Sequence, residues 1–329
     1  MPSATPARLL TFLALFIGVA AVAVMVARQD AAGVARALVA MGPGVLLLPL
    51  AFLPHLVLAA LSWRLLFRRG GGADFWATLR ALWMGLSADT LLPVASIGGE
   101  VVKVRVAMFA GVSGTDAVTS VIVDKTVQAV SLILWGLIGL AVLAALGAGR
   151  EIVIGALAGS ALLMAAVVAF VAAQRAGPFG RFVAAVGRVT ALTDRLGIDG
   201  SAAALDAAIA ALYQRPGPIV AACALRLAAR AALTAEVLLA AYLMGHPLGL
   251  WEAMMLKSLT GALRGAAFVV PSGWGVQEAG YVVLGGLIGL SPELMLAVSL
   301  ATRARELLIG VPGLIAWQVA EGRWLWRRR

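Results

Sequence analysis

Long apolar runs separated by short charged connectors dominate the chain. Leu9 to Ala27, Val127 to Gly149 and Ile152 to Ala173 contain no charged residue, and each is long enough, as helix, to cross a hydrocarbon core of about 30 Å. Further spans are predicted from Val45 to Phe67, with Pro49 and Pro54 as kinks, from 116 to 146, from Pro218 to Met244 and from 293 to 320. Residues 28 to 44, with Arg28, Asp30 and Arg36, read as a short amphipathic connection. The 174 to 217 stretch is the longest polar one. Its apolar Phe182, Val186, Val189 and Leu192 recur at helical spacing, which predicts an amphipathic helix lying on the membrane surface.

Two regions break the alternation of span and connector. In residues 75 to 112, a segment carrying Arg80 and Asp89 stops at Pro93 and is followed by a short one from Glu100 to Ala110 with Lys103 and Arg105. In residues 250 to 290, a first arm with Lys257 and Arg264 ends in Pro271 to Glu278, PSGWGVQE, before apolar residues resume at Ala279. As full crossings these segments would be short and would leave charges deep in lipid. Irregular backbone at membrane depth is tolerated only where protein or a water-filled cavity surrounds it. Both regions are therefore predicted to be re-entrant helical hairpins, dipping into the membrane and returning.

The two breaks resemble each other. LPVASIGGE, ending at Glu100, can be written against VPSGWGVQE, ending at Glu278, and the same offset of 178 aligns Gly111 with Gly289, Ser113 with Ser291 and Lys125 with Arg303. Arg64, Arg68 and Arg69 place the end of the second span on the cytoplasmic side, as do Arg175, Arg181, Arg188, Arg195 and Arg215 for the 174 to 217 loop. Tracing the chain from there puts both termini in the cytoplasm, with Trp317, Trp324 and Trp326 beside Arg327 to Arg329 as an interfacial belt. Residues 1 to 150 then form one membrane repeat and 151 to 329 a second of opposite orientation. Each consists of two spans, a hairpin and a further span. The expected fold is an all-α polytopic membrane bundle with an inverted-topology repeat, the arrangement of many secondary transporters.

Composition agrees: 62% of the 329 residues are hydrophobic and 13% charged, with a mean hydropathy of +0.99, far from a soluble domain. The formal charge of +10 sits in connectors and at the C-terminus, where positive-inside loops explain it, and no basic patch with interleaved aromatics suggests nucleic acid. Cys223 is the only cysteine, so neither a disulfide nor a thiolate metal cluster can form within the chain. The first apolar run extends to Ala27 with its A-x-A triplet inside it, and so reads as a retained helix rather than a cleaved leader. His55 and His246 have no second ligand at metal spacing, and no GxSxG, HExxH, P-loop or CxxC is present. Neither a metal, nor a cofactor, nor a catalytic residue is expected.

The candidate site is a set of charges and helix breakers within the membrane. It comprises Pro93, Gly98, Gly99 and Glu100 at the first break, with Lys103 and Arg105 beyond it, and Asp124 and Lys125 in the following span. Arg226, Arg230 and Glu236 lie in the 218 to 244 span. Pro271, Gly273, Gly275, Gln277 and Glu278 form the second break, and Arg303, Arg305 and Glu306 follow in the last helix. A charge at the bilayer centre costs about 2.5–3.5 kcal/mol even on a lenient scale. Two readings follow: the groups pair internally and fix the hairpins, or surplus cations line a cavity for an anionic or zwitterionic head group.

LPVASIGGEVVKVR and VPSGWGVQEAGY, followed by DK and RARELL, resemble the family of the transmembrane region of lysylphosphatidylglycerol synthases, and within it the hopanoid-biosynthesis-associated membrane proteins. The resemblance covers essentially the whole chain. It implies a flippase-like bundle of the bacterial inner membrane that moves a lipid, such as a hopanoid, between leaflets. The aminoacyl transferase domain of the larger synthases has no counterpart here, so lysyl transfer is not implied. A pathway association without transport, in which the protein scaffolds lipid-biosynthesis enzymes or presents lipid to them, is the alternative.

Overall fold

The computed structural model describes residues 31–67, 72–92, 98–147, 149–175, 202–267 and 270–327. The run from Leu9 to Ala27, Pro93 and residues 176–201 of the polar loop lie outside them. All regular elements among the described residues are helical. With apolar stretches long enough to cross a bilayer at Ala32–Arg64, Gly114–Ala145 and Pro216–Leu243, the protein is a membrane helix bundle.

Helix α1, Ala31–Met41, runs through a 3-10 stretch at Gly42–Leu47 into α2, Leu48–Arg64. Residues 31–41 are thus helical, not merely a connection: Val34 and Met41 are buried in an apolar cluster with residues of the second half, a stabilisation invisible in a short Ala- and Gly-rich segment. Pro49 stands in the first turn of α2, where its missing N–H is not needed. Helices α3, Phe75–Leu91, and α4, Gly98–Phe109, form the first hairpin. Asp74 caps α3 by accepting from Ala77 N at 2.6 Å. The two arms meet backbone to backbone: a methyl on Gly99 would fall 2.3 Å from Gly85 O.

Helix α5, Gly114–Ala145, follows, then α6, Arg150–Arg175, α7, Ala202–Tyr213, and the pair α8, Pro216–Ala232, and α9, Thr234–Leu243, which meet at Leu233. The second hairpin is α10, Leu250–Ala266, a 3-10 turn at Pro271–Gly273 and α11, Val276–Leu287. The chain ends in α12, Pro292–Arg327, with Pro312 inside it. The hairpin arms and the long spans expected at 116–146 and 293–320 correspond to helices here; the second break holds the 3-10 turn at Pro271–Gly273, while residues 93–97 of the first lie outside the described residues.

Local geometry repeats between the halves at the 178-residue offset. Helices α4 and α11 have 12 residues each and begin 178 positions apart, as do α5 and α12. After the second arm of each hairpin the chain turns through a glycine with positive φ, Gly111 at 88° and Gly289 at 80°, a conformation that a side chain would disfavour. Val112 N then donates to Ala107 O, and Leu290 N to Gly285 O. Ser113 Oγ accepts from Asp116 N, and Ser291 Oγ from Leu294 N, capping the next helix in both cases.

Packing between the halves is crossed. The long helix of each half lies along the first hairpin arm of the other, α5 on α10 and α12 on α3. Both contacts are close because the long helices carry glycines there: Gly136 and Gly139 face Ala262 and Ser258, while Gly310 and Gly313 face Leu91 and Ser87. Small residues at helix contacts let backbones approach in lipid, where no hydrophobic effect drives helices together. One apolar cluster surrounds the first hairpin and a second the other.

Candidate functional site

Buried charge concentrates around the two hairpins in three ion-pair groups. In the first, the fully buried Asp124 of α5 accepts through Oδ2 from Lys103 Nζ of α4 at 2.7 Å and from Gln128 Nε2 at 2.8 Å. Its Oδ1 pairs with Arg226 of α8. Lys103 also reaches Glu100 Oε2 at 2.8 Å, and Lys125 Nζ meets Glu100 Oε1 at 2.5 Å. The Trp63 ring lies 4.8 Å from Lys103 Nζ, a further favourable contact for the cation. Asp89, near the end of α3, accepts the Gly99 N–H at 2.7 Å and so ties the break to the first arm.

The second group holds the opening of α11. Glu278 is fully buried; its Oε2 accepts from Gly275 N at 2.8 Å, and its Oε1 from Arg303 Nε at 2.9 Å. Arg303 Nη1 donates to Ser272 O at 2.8 Å and to Glu306 Oε2 at 3.0 Å, while Nη2 donates to Gly273 O at 3.2 Å. The guanidinium therefore satisfies carbonyls that the broken helix leaves without partners. Arg264 Nη1 of α10 donates to Gln277 Oε1 at 2.9 Å and Glu306 Oε1 at 2.6 Å. Gln277 Nε2 bonds Ser299 and Thr302 of α12. Ser272, with φ of 52°, is the one non-glycine residue in the left-handed region among those described; its Oγ donates to Thr90 O of the first hairpin at 2.7 Å.

In the third group the buried Glu236 of α9 receives Lys257 Nζ of α10 at 2.7 Å and Arg305 Nε of α12 at 2.6 Å. The Arg305 guanidinium lies over the Phe52 ring at 4.2 Å.

Of the charges singled out from the sequence, these groups gather Glu100, Lys103, Asp124, Lys125, Arg226, Glu236, Glu278, Arg303, Arg305 and Glu306. Gly99 supplies a donor to Asp89, and Gly273 and Gly275 supply backbone partners. Gly98 opens α4 and Pro271 the 3-10 turn. Arg105 is elsewhere: it forms a bidentate contact with Glu321 near the end of α12, at 2.6 Å at the closest, and stacks on Trp324 at 4.2 Å. Arg230 belongs to none of the groups, donating instead to Ser131 Oγ at 3.0 Å and Gln128 O at 2.9 Å. Asp89, Lys257 and Arg264, which the sequence places in apolar arms outside the candidate set, join the site through Gly99, Glu236 and Glu306. Glu321 and Gln128 gave no signal, because their importance comes from partners on other helices.

Two cavities with mixed polar and apolar walls lie among these groups. One, of about 170 Å³, is bordered by Asp89, Glu100, Lys103 and Arg226. The other, of about 230 Å³, is bordered by Lys257, Arg264, Gln277, Tyr281 and Arg305. His55, Leu86 and Arg230 border both. Among the described residues no group of three or more His, Cys, Asp or Glu is placed to hold a metal ion.

An all-helical membrane bundle with paired charge around two broken hairpins defines the class. Its family follows from comparison: the profile of the lysylphosphatidylglycerol synthase TM region matches residues 11–313, and the chain belongs to that family, a lipid-related one. No curated protein and no solved structure matches it.

Proposed function

We propose that the protein is a flippase-like transporter of the bacterial inner membrane, with both termini cytoplasmic. It would move a polar-headed lipid, a hopanoid derivative being the candidate that the sequence resemblance suggests, between leaflets without converting it chemically. In this reading the halves are inverted repeats and the hairpins enter from opposite faces as two opposed gates. The observation that carries it is the meeting of the two hairpins around the two cavities inside an apolar bundle, each hairpin built on the same ion pair. Glu100 with Lys125, and Glu278 with Arg303, stand at equivalent positions and make equivalent contacts. Trp76 and Trp251, each the second residue of a hairpin's first arm, are exposed, as expected of interfacial anchors at the two points of insertion.

The test is reconstitution into liposomes carrying fluorescent lipids in both leaflets, with a membrane-impermeant quencher added outside. Quenching beyond that of protein-free vesicles supports transport; its absence across phospholipid and hopanoid probes sinks the proposal. A second reading, a non-transporting accessory of lipid biosynthesis, draws on the near-complete internal pairing of the central charges, which a purely structural role would also produce. Copurification of lipid-biosynthesis enzymes, together with normal leaflet asymmetry in cells lacking the protein, would favour it.

A further inference from the structure

We infer that Arg230 is the anion-binding residue of a two-chambered passage and that its ligand is a singly charged phosphodiester of a lipid head group. The inference rests on the transport reading for its biological setting, but the site itself stands on geometry.

Arg230 differs from the other cations of the bundle centre. Lys103, Arg226, Lys257, Arg264, Arg303 and Arg305 each meet a carboxylate within 4.0 Å. Arg230 meets a serine hydroxyl and a backbone carbonyl only, and its Nη1 makes no hydrogen bond among the described residues. A guanidinium placed in an apolar bundle with neutral partners lacks most of the stabilisation that the others obtain. An incoming anion would supply it, and a guanidinium's fork of N–H donors matches two oxygens of a phosphate.

Position agrees with chemistry. Arg230 borders the chamber next to the first hairpin and the chamber next to the second, so an anion could pass from one to the other without leaving it. A further unused polar atom among the residues of the walls is also a donor. Arg226 Nε, of a residue that borders the first chamber, is buried without a hydrogen-bond partner among the described residues. Buried donors left without acceptors are uncommon, because each forfeits its hydration. At about 170 and 230 Å³ the chambers are smaller than the roughly 300–1,000 Å³ of sites that engulf a whole small molecule. They suit a head group with acyl chains left outside. Asp89 borders the first chamber, its carboxylate accepting only the Gly99 N–H among the described residues, and that carboxylate disfavours a doubly charged guest; hence a diester rather than a monoester.

Thermal unfolding of the full-length detergent-purified protein tests this, with dihexanoylphosphatidylglycerol, dihexanoylglycerol and inorganic phosphate as probes. The phosphatidylglycerol should raise the Tm of the wild type, while dihexanoylglycerol, alike but for the head group, should not. Arg230→Gln should weaken the apparent affinity for phosphatidylglycerol by about tenfold or more. Arg230→Lys, a second variant should the first not fold, keeps the charge without the fork and should show an intermediate loss. Equal protection by dihexanoylglycerol, or full protection of folded Arg230→Gln, overturns the inference. Protection by inorganic phosphate that matches the lipid's and depends on Arg230 supports the anion site and assigns it to a soluble anion. The two proposals separate cleanly: Arg230-dependent binding without lipid movement in liposomes removes transport alone, while lipid movement unaffected by Arg230→Gln removes this site alone.

Discussion

The two hairpins have arms of equal length, 17 and 12 residues, and one ion pair in common, but are satisfied differently around it. Glu278 and Arg303 are almost sealed from solvent, with side-chain exposures of 0% and 5%, whereas Glu100 and Lys125 retain 13% and 37%. Beyond the shared pair the charges diverge. Lys103, Asp124, Val127 and Gln128 of the first half stand at the positions of Tyr281, Thr302, Arg305 and Glu306 in the second. Asp124 consequently looks across to Arg226 of the second half, whereas Arg303 looks back to Glu306 and to the carbonyls of its own turn. The common pair is what a broken helix needs in order to be held. The unshared charges give each half its own surroundings.

If that division is right, the largest loss of stability should come from an unshared charge at a junction of helices. Asp124→Ala leaves Lys103 without its shortest carboxylate contact and Arg226 without any, and should cost about 3–5 kcal/mol, the scale for breaking a buried pair, seen as a collapse of thermal stability in detergent. Glu278→Gln removes a charge-assisted bond while Arg303 keeps Glu306 and two carbonyls. A loss of about 1.5–3 kcal/mol is expected, exceeding that for Glu100→Gln, whose site is wetter; the reverse order in denaturation would show that the hairpins are not held in the same way. Next come the crossed contacts. A methyl at Gly139 would lie 1.7 Å from Ser258 Oγ, and one at Gly313 2.1 Å from Ser87 Oγ. Gly139→Ala and Gly313→Ala should therefore each cost about 1–3 kcal/mol by overpacking, and similar losses would support equivalent interfaces. Smallest are the caps: Ser113→Ala and Ser291→Ala should each cost about 1 kcal/mol, and a large disparity between them would count against the proposed repeat.

Much of this framework was legible from order and punctuation. Pro271 to Glu278 announced a break because proline, two glycines and a carboxylate interrupt an apolar run, and the 178-residue offset was visible from Gly111, Ser113 and their counterparts. Helix ends follow local chemistry, and local chemistry is written in sequence. Pairing does not follow from it. That Glu236 takes Lys257 and Arg305, that Arg105 leaves the centre for Glu321, and that Arg230 lacks a carboxylate where the other described cations of the bundle centre have one all depend on which helix faces are turned together. Residues 21, 69 and 216 positions apart become neighbours only through packing. The turn of α1 toward the second half has the same origin, since Val34 and Met41 reveal their burial only once α12 is in place.

Ser272 joins the hairpins at one point: its hydroxyl holds Thr90 O while its carbonyl accepts from Arg303. Displacing the second turn would pull on the end of the first arm of the other hairpin, so neither can swing far without breaking or dragging this link. If the hairpins are the two gates proposed above, that linkage bears on leakage. Two independent doors would at times stand open together and let protons and small ions run down their gradients, whereas doors hung on a common hinge would keep the membrane insulated while one opens.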